Sequence, residues 1–268
     1  MIEELASKIK HKNAILFVGS GVSKNLGLPD YSELINQMAE KLNYDRETFN
    51  SWGDNDFLIL AEYYYLQKGS LGELRSWMDR AWHNPQIDIS KSTIYKMIIE
   101  LNFPVIYTTN FDRWLEYAHD FYKKDYTKIA NVADMTLTEN DKTQIIKFHG
   151  DFDDDSSIVL TESSYFNRLD FETSLDIKLR LDSLEKSILF IGYSLSDINI
   201  RYMLFKLHKQ WKHSSYEHLR PKAYIFLTEP NPVKETILRE RGIIPIIYKN
   251  NDPGKALTDF LIDLKSML

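Results

Sequence analysis

The chain has 268 residues, 43% of them hydrophobic and 13% aromatic, enough for one large domain with a sizeable core. It holds no cysteine, which excludes disulfides and thiolate metal sites. A formal net charge of -6 argues against nucleic acid as the ligand of the whole surface, and no apolar run has signal-peptide character or membrane-spanning length, so a cytoplasmic protein with no membrane partner is the default expectation.

Ile2, Leu5, Ala6 and Ile9 share one helical face, and a helix is expected over 1–12. Ile15 to Val18 is a short apolar run of the kind a buried parallel strand uses. Gly19-Ser20-Gly21 follows at once, with a helix expected to start near Val22 or Ser23. Gly27 and Pro29 break that helix within a turn or so, leaving a loop through Tyr31. An amphipathic helix is expected over 31–42, capped by Asp30 or Ser32, and two more over 54–67 and 71–82. Three helices in a row depart from strand–helix alternation. Residues 40–100 therefore read as a helical insertion within a single domain spanning 1–268. Alternation resumes with a strand over 103–109, a helix reaching Phe121, and a strand over 144–148 that ends at His149-Gly150. A short strand is expected over 157–160 and helix over most of 162–184. The apolar strand 187–191 runs into Gly192-Tyr193-Ser194 and a helix over 197–211. Strands over 222–227 and 243–248, with helices over 232–241 and 254–267, complete the chain. The pattern indicates an α/β fold, a doubly wound parallel Rossmann-like sheet.

Four of these strands end in polar or glycine-containing segments: Gly19 to Gly21, Thr108-Thr109-Asn110-Phe111-Asp112, His149-Gly150, and Gly192 to Ser194. Ligands of open α/β sheets bind at the carboxyl ends of the strands, so the four should line one crevice. Two glycines around Ser20 let backbone N–H groups approach a ligand, and a helix start behind them favours phosphate. Strand, turn and helix together read as a dinucleotide site, although Lys24 stands where a GxGxxG fingerprint has its third glycine. Each segment also has a plainer reading. The glycines suit a tight turn with no ligand, Asn110, Asp112 and Ser194 suit helix caps, and His149 suits a loop. The run from Asp151 to Asp155 could suggest a metal but reads better as a solvated loop, because clustered carboxylates repel without a cation. Lys206, Lys209, Lys212 and Arg220, interleaved with Trp211 and Tyr216, could form a nucleic-acid footprint, with a solvated or docking face as the alternative.

The segment from Gly19 to Tyr31 resembles the nucleotide-binding loop of sirtuins. Gly19, Gly21, Ser23, Gly27, Pro29 and Asp30 match outright, and Val22, Leu28 and Tyr31 are conservative. Residues 108–112 resemble the sirtuin Thr-Gln-Asn-Ile-Asp segment, His149-Gly150 the catalytic histidine and its glycine, and residues 192–195 the Gly-Thr-Ser-Leu segment. The order is preserved over roughly residues 14 to 250. Departures are as telling. Deacylating sirtuins carry a four-cysteine zinc ribbon after the histidine, where this chain has Asp151-Phe152-Asp153-Asp154-Asp155. Ser32 replaces an arginine, and Leu227-Thr228-Glu229 lacks the ribose-holding asparagine. Residues 157–161, Tyr165 and the stretch from Gly192 to Asp197 are similar to the sirtuin-like domains of bacterial anti-phage systems, which hydrolyse NAD+.

That resemblance implies an NAD+ glycohydrolase that takes NAD+ as its substrate, needs no zinc, and yields ADP-ribose and nicotinamide. It implies Asn110 and His149 as catalytic. It places Gly19, Ser20, Gly21 and Ser23 at the pyrophosphate, Pro29, Asp30 and Tyr31 in a flap, Asp112 near the nicotinamide, and Gly192, Tyr193 and Ser194 on the adenosine side, with Thr109 also binding the cofactor. The chemistry suits those residue types. Nicotinamide is a good leaving group, so the site needs a held ribose, excluded water and one positioned nucleophile. A histidine can serve as base near neutral pH, and a neutral amide does not compete with an oxocarbenium-like sugar. A non-catalytic NAD+ or ADP-ribose sensor and an NAD+-dependent protein deacylase are the alternatives. An NADase must be restrained, which implies a homo-oligomer and a separately encoded partner such as a ring-forming ATPase of the DNA-translocase type. The aromatics of the helical insertion, among them Trp52, Phe57, Tyr64, Tyr65 and Trp82, are candidates for the contact surface.

Overall fold

A computed structural model describes residues 1–54, 56–139, 141–195, 197–212 and 214–268. After helix α1 (Ile2–Lys10), strand β1 (Ala14–Val18) leads into the one-turn helix α2 (Ser20–Lys24). Helices α3 (Tyr31–Lys41), α4 (Arg46–Trp52), α5 (Phe57–Lys68), α6 (Gly72–Trp82) and α7 (Thr93–Leu101) follow, before strand β2 (Val105–Thr108) and helix α8 (Trp114–Phe121). Next come β3 (Tyr126–Ile129), α9 (Val132–Met135), β4 (Thr143–Lys147), α10 (Glu162–Phe166), α11 (Ser174–Glu185), β5 (Ser187–Ile191) and α12 (Ile198–Lys212). The chain ends with β6 (Ala223–Leu227), α13 (Pro232–Glu240), β7 (Ile243–Ile247) and α14 (Pro253–Ser266).

The strands form one seven-stranded sheet in the order β3-β4-β2-β1-β5-β6-β7, and the described ladders are all parallel. This is the expected doubly wound α/β architecture. Every residue of β1 is buried, as a central parallel strand covered on both faces requires. Ala14, Leu16 and Val18 face one apolar cluster, which also holds buried residues of α1, α7, α8 and α14. Ile15 and Phe17 face the other, with residues of α11, α12 and α13. The chain leaves β1 toward β2 on one side, and the later strand β5 lies on the other. The strand order therefore reverses between β1 and β5, and a crevice opens at their carboxyl ends.

Local chemistry explains the boundaries. Asp30, not Ser32, caps α3, its Oδ1 accepting the N–H groups of Ser32 at 3.0 Å and Glu33 at 3.4 Å. Helix α4 was not expected; Asp45 caps it through the Thr48 N–H at 2.9 Å. Strand β3 escapes an apolar-run reading because Tyr126, Thr127 and Lys128 are only half buried at the sheet edge. Two expectations need correction. Residues 157–160 are not a strand: Asp155–Ser157 forms a 3-10 turn. The Asp154 side chain accepts from Ser156 N and the Ser157 hydroxyl donates to Asp154 O, so local side-chain bonds displace a ladder. The helix over 162–184 is two helices, broken where Phe171 takes φ +56 and Thr173 caps α11. The helical run from Tyr31 to Leu101 includes the helices expected over 31–42, 54–67 and 71–82. Within it, α7 packs against α14 and α8 as the crossover between β1 and β2.

Candidate active site

The glycines after β1 and β5 bring two backbone turns into contact. Gly19 N–H donates to Ile191 O at 3.0 Å and Gly21 N–H to Gly192 O at 2.9 Å. A Cβ on Gly19 would stand 2.4 Å from Gly192 O, and one on Gly192 2.5 Å from Val22 N. Gly192 also has φ +59, in the left-handed region. These glycines are thus required by the packing of one turn on the other. The N–H groups of Gly19, Gly21 and Val22 are spent on backbone carbonyls, Val22 N bonding Gly19 O at 3.1 Å.

Asn110 and Asp112, after β2, meet Ser23 of α2. Ser23 Oγ donates to Asp112 Oδ2 at 2.7 Å and accepts from Asn110 Nδ2 at 3.1 Å, with the Tyr95 hydroxyl 3.3 Å away. Asp112 Oδ1 accepts Trp114 N–H at 3.2 Å, which satisfies the first N–H of α8, whose N-cap residue is Arg113. The Thr108 hydroxyl donates to Val18 O at 2.9 Å and accepts Asn110 N–H at 3.0 Å, stitching the turn to β1. Beneath lies a buried pair, Lys147 Nζ with Glu116 Oε1 at 3.3 Å, whose ammonium also donates to Asp112 O. Asn110 is thereby held from both backbone and side chain, and its Oδ1 has no hydrogen bond among the described residues.

His149, after β4, is only 2% exposed. Nδ1 lies 3.4 Å from the Tyr165 hydroxyl of α10. Nε2 lies 3.2 Å from Asp197 Oδ2, in contact but without an aligned hydrogen bond. Asp197 caps α12, its Oδ1 accepting Asn199 N–H at 2.9 Å and Ile200 N–H at 3.1 Å. Arg168 lies 4.0 Å from the Phe148 ring centre and donates to Phe148 O and Asp176, pinning the strand end that carries His149. Burial pushes the imidazole well below its ordinary range, and the Arg168 charge adds to that. Burial raises the Asp197 carboxyl, while its two backbone N–H bonds and Arg168 oppose the rise. Tyr31 is 42% exposed as a residue, but its hydroxyl points into the crevice wall and is pushed up, by desolvation there and then by the Asp197 charge. Sequence reasoning gave no role to Asp197, Tyr165, Arg168 or Thr108. The signals for Asp197 were its place at a helix start after Gly192-Tyr193-Ser194 and its position in the stretch that resembles the anti-phage sirtuin-like domains.

Two cavities divide the expected site. The larger, about 820 Å³, is lined by Ser20, Tyr31, Thr109, Gly192, Tyr193 and Ser194, with Tyr165, Asp197 and residues of α3, α5 and α10. The smaller, about 70 Å³, is lined by Pro29, Asp30, Asn110, Phe111 and Asp112, with Trp82 and Lys24. Ser20, Tyr31 and Thr109 line both, so Tyr31 stands where they meet, its ring 4.7 Å from that of Phe57. His149 lines neither. Ser23 is buried and reaches the site through Asn110 and Asp112. Asp30 is engaged as a cap and sits 3.6 Å from Lys24 Nζ.

The acidic loop is not solvated throughout. Asp151 is buried and pairs with Lys128 at 2.6 Å; Lys128 also pairs with Asp153. Arg113 bridges Asp153 at 3.0 Å and Asp79 at 2.7 Å, and Arg75 pairs with Asp155 at 2.7 Å. These ion pairs tie the loop to β3, α6 and the start of α8. Among the described residues, no group of three or more His, Asp or Glu is arranged to hold a metal. The basic stretch is largely engaged within the chain. Lys206 lies over Phe171 and Tyr202, Lys212 pairs with Glu240, Lys222 with Glu4 at 2.7 Å, and Arg220 meets His208 at 3.0 Å. Among the described residues no helix is long and apolar enough to cross a membrane.

The crevice lies where the strand order of an all-parallel α/β sheet reverses, with an amide after β2 and a buried imidazole after the neighbouring β4. The SIR2-like domain family matches residues 104–246, and the chain belongs to that family. Among curated proteins it is similar to the NAD(+) hydrolase ThsA of Enterococcus faecium, 29% identical over 211 residues covering 76% of this chain and 42% of that protein. ThsA of Bacillus cereus is 24% identical over 220 residues, 81% of this chain and 44% of that one. Defense-associated sirtuin 2 of Bacillus subtilis is 24% identical over 243 residues, 88% of this chain and 23% of that one. The chain thus spans less than half the length of each of these relatives. A solved structure described under Sir2 enzymes aligns with TM-score 0.48 and 13% identity over 100% of this chain and 98% of the other.

Proposed function

We propose that this chain hydrolyses NAD+ to ADP-ribose and nicotinamide, as an effector of bacterial anti-phage defence. The observation that carries the reading is the fixed Asn110 amide, clamped by Ser23 beside Asp112 at the mouth of the crevice. The names of the ThsA relatives, and the retained His149, support the same chemistry. Asn110 Oδ1 holds the attacking water or a ribose hydroxyl, with no charge to compete with the developing cation. His149 is the base, kept neutral by its burial. The larger cavity is roomy enough for a nucleotide, and Gly192, Tyr193 and Ser194 line its adenosine side. Ser20 and Thr109 lie toward the pyrophosphate and ribose. Pro29, Asp30 and Tyr31 form the flap over the nicotinamide end.

The decisive assay follows NAD+ loss and ADP-ribose formation by the purified chain and by folded Asn110→Ala and His149→Ala. Both variants should lose at least about 100-fold in turnover. Near-normal turnover by either would remove that residue from the mechanism.

The regulatory part of the proposal is assembly: a cytoplasmic homo-oligomer restrained or activated by a separately encoded partner, with a ring-forming ATPase as the leading candidate. Trp52 and Tyr65 of the insertion are 54% and 42% exposed and suit a contact, whereas Tyr64 and Trp82 are core. Mass photometry with kinetics tests this. A monomer with full turnover at nanomolar concentration, indifferent to any partner, would end it.

A further inference from the structure

His149 is sealed from both cavities, yet a general base must reach its proton directly or through one intermediary. Two side chains touch His149 and also line the larger cavity: Tyr165 at Nδ1 and Asp197 at Nε2. We propose that these two complete the catalytic unit, Asp197 as the positioning residue that holds the proton of His149 on Nε2, and the Tyr165 hydroxyl as the carrier of protons between the cavity and Nδ1.

The partners fix the roles. Asp197 Oδ1 is committed to two backbone N–H groups at the start of α12, which opposes the rise that burial causes and leaves Oδ2 3.2 Å from Nε2. A carboxylate only accepts, so Nε2 carries the hydrogen and Nδ1 is the acceptor. The Tyr165 hydroxyl must then donate to Nδ1, which leaves its oxygen lone pairs for a group in the cavity. Arg168 keeps the Phe148–His149 backbone in place from the opposite side. The hydrogen bond at Nδ1 is long, at 3.4 Å, and the contact at Nε2 is near, at 3.2 Å, but poorly aligned, as catalytic contacts often are before substrate closes the site.

This rests on the NAD+ hydrolase reading, for which the step balances. The water oxygen bonds to the anomeric carbon as the C–N glycosidic bond breaks. The bonding pair returns to the pyridinium nitrogen, which becomes neutral. The proton of the water passes to the Tyr165 oxygen while the Tyr165 proton passes to Nδ1. The imidazolium so formed lies against the Asp197 carboxylate and later releases its proton to solvent by the same path.

The test begins with wild-type chain labelled with 15N. The ring nitrogens of His149, assigned by difference against His149→Gln, should show a protonated Nε2 and a bare Nδ1 near pH 7. Asp197→Asn keeps the helix cap, since Asn caps as well as Asp, but turns an N–H toward Nε2. The proton should then move to Nδ1. Tyr165→Phe should keep the wild-type tautomer. Both variants should lose about 10-fold or more in kcat with KM within about 2-fold. A wild-type Nδ1–H tautomer overturns the role of Asp197. Full turnover in folded Tyr165→Phe overturns the carrier. The NMR arm needs no substrate, so a wild type that never consumes NAD+ would count against the proposed function while the Asp197–His149 pairing is still decided.

Discussion

The amide of Asn110 donates to Ser23 Oγ at 3.1 Å across 87 residues of sequence, and the same hydroxyl donates to Asp112 at 2.7 Å. One serine on α2 therefore sets the orientation of two side chains that follow β2. Ser23→Ala should leave the buried Asp112 Oδ2 without its donor and free Asn110 to rotate. We expect a loss of about 2 kcal/mol in stability, the scale of a hydrogen bond to a charged group. Turnover should fall about 10-fold or more for lack of orientation. Urea titration and NAD+ kinetics check both; unchanged kinetics would show that Asn110 needs no clamp.

The glycines of the crevice separate by mechanism. Gly27 has φ +80 with open space around it, so Gly27→Ala should cost only the left-handed backbone penalty, about 1 kcal/mol. Gly192 combines φ +59 with a Cβ position 2.5 Å from Val22 N. Gly192→Ala should add overpacking to strain and cost about 2–4 kcal/mol. Equal denaturation midpoints for the two variants would contradict the close-approach account.

The ion pairs of the acidic loop should not contribute equally. Lys128→Met strands Asp151, whose side chain is 2% exposed, and should cost about 3 kcal/mol. Arg75→Met removes a pair whose Asp155 side chain is 54% exposed and should cost less than about 1 kcal/mol. Thermal melts of the two variants, with and without a chelator, test this. A chelator-dependent melting temperature would mean that a metal, not these cations, holds the loop.

Acid should destabilise the folded chain partly through His149. Its folded pKa lies well below the ordinary 6.5, so the unfolded state takes up a proton first as pH falls. The stability that the neutral imidazole contributes is complete above about pH 6.5 and is lost progressively below it. His119 and His208 are shifted the same way, so the informative quantity is the difference between wild type and His149→Gln. Wild type should lose more melting temperature between pH 7 and pH 5; parallel curves would contradict the burial of the neutral form.

What the sequence determined by itself was the alternation. The uninterrupted apolar runs at 15–18 and 187–191 read as buried parallel strands, and both strands are buried along their whole length. Strand–helix order then put Gly19, Asn110, His149 and Gly192 at carboxyl ends. The half-buried edge strand β3 was invisible because Tyr126-Thr127-Lys128 carries no apolar periodicity. Tertiary structure decided everything that depends on neighbours distant in the chain. Only the folded sheet shows that the glycines serve the contact between two turns, that Ser23 orients Asn110, and that Asp197, 48 positions beyond His149 in the sequence, lies 3.2 Å from its ring. It also shows that Lys128 neutralises Asp151. Hydrophobic periodicity is a local signal and survives in one dimension. A hydrogen bond or a buried charge is settled by whichever group the sheet order brings within about 3 Å, and no spacing along the chain records that.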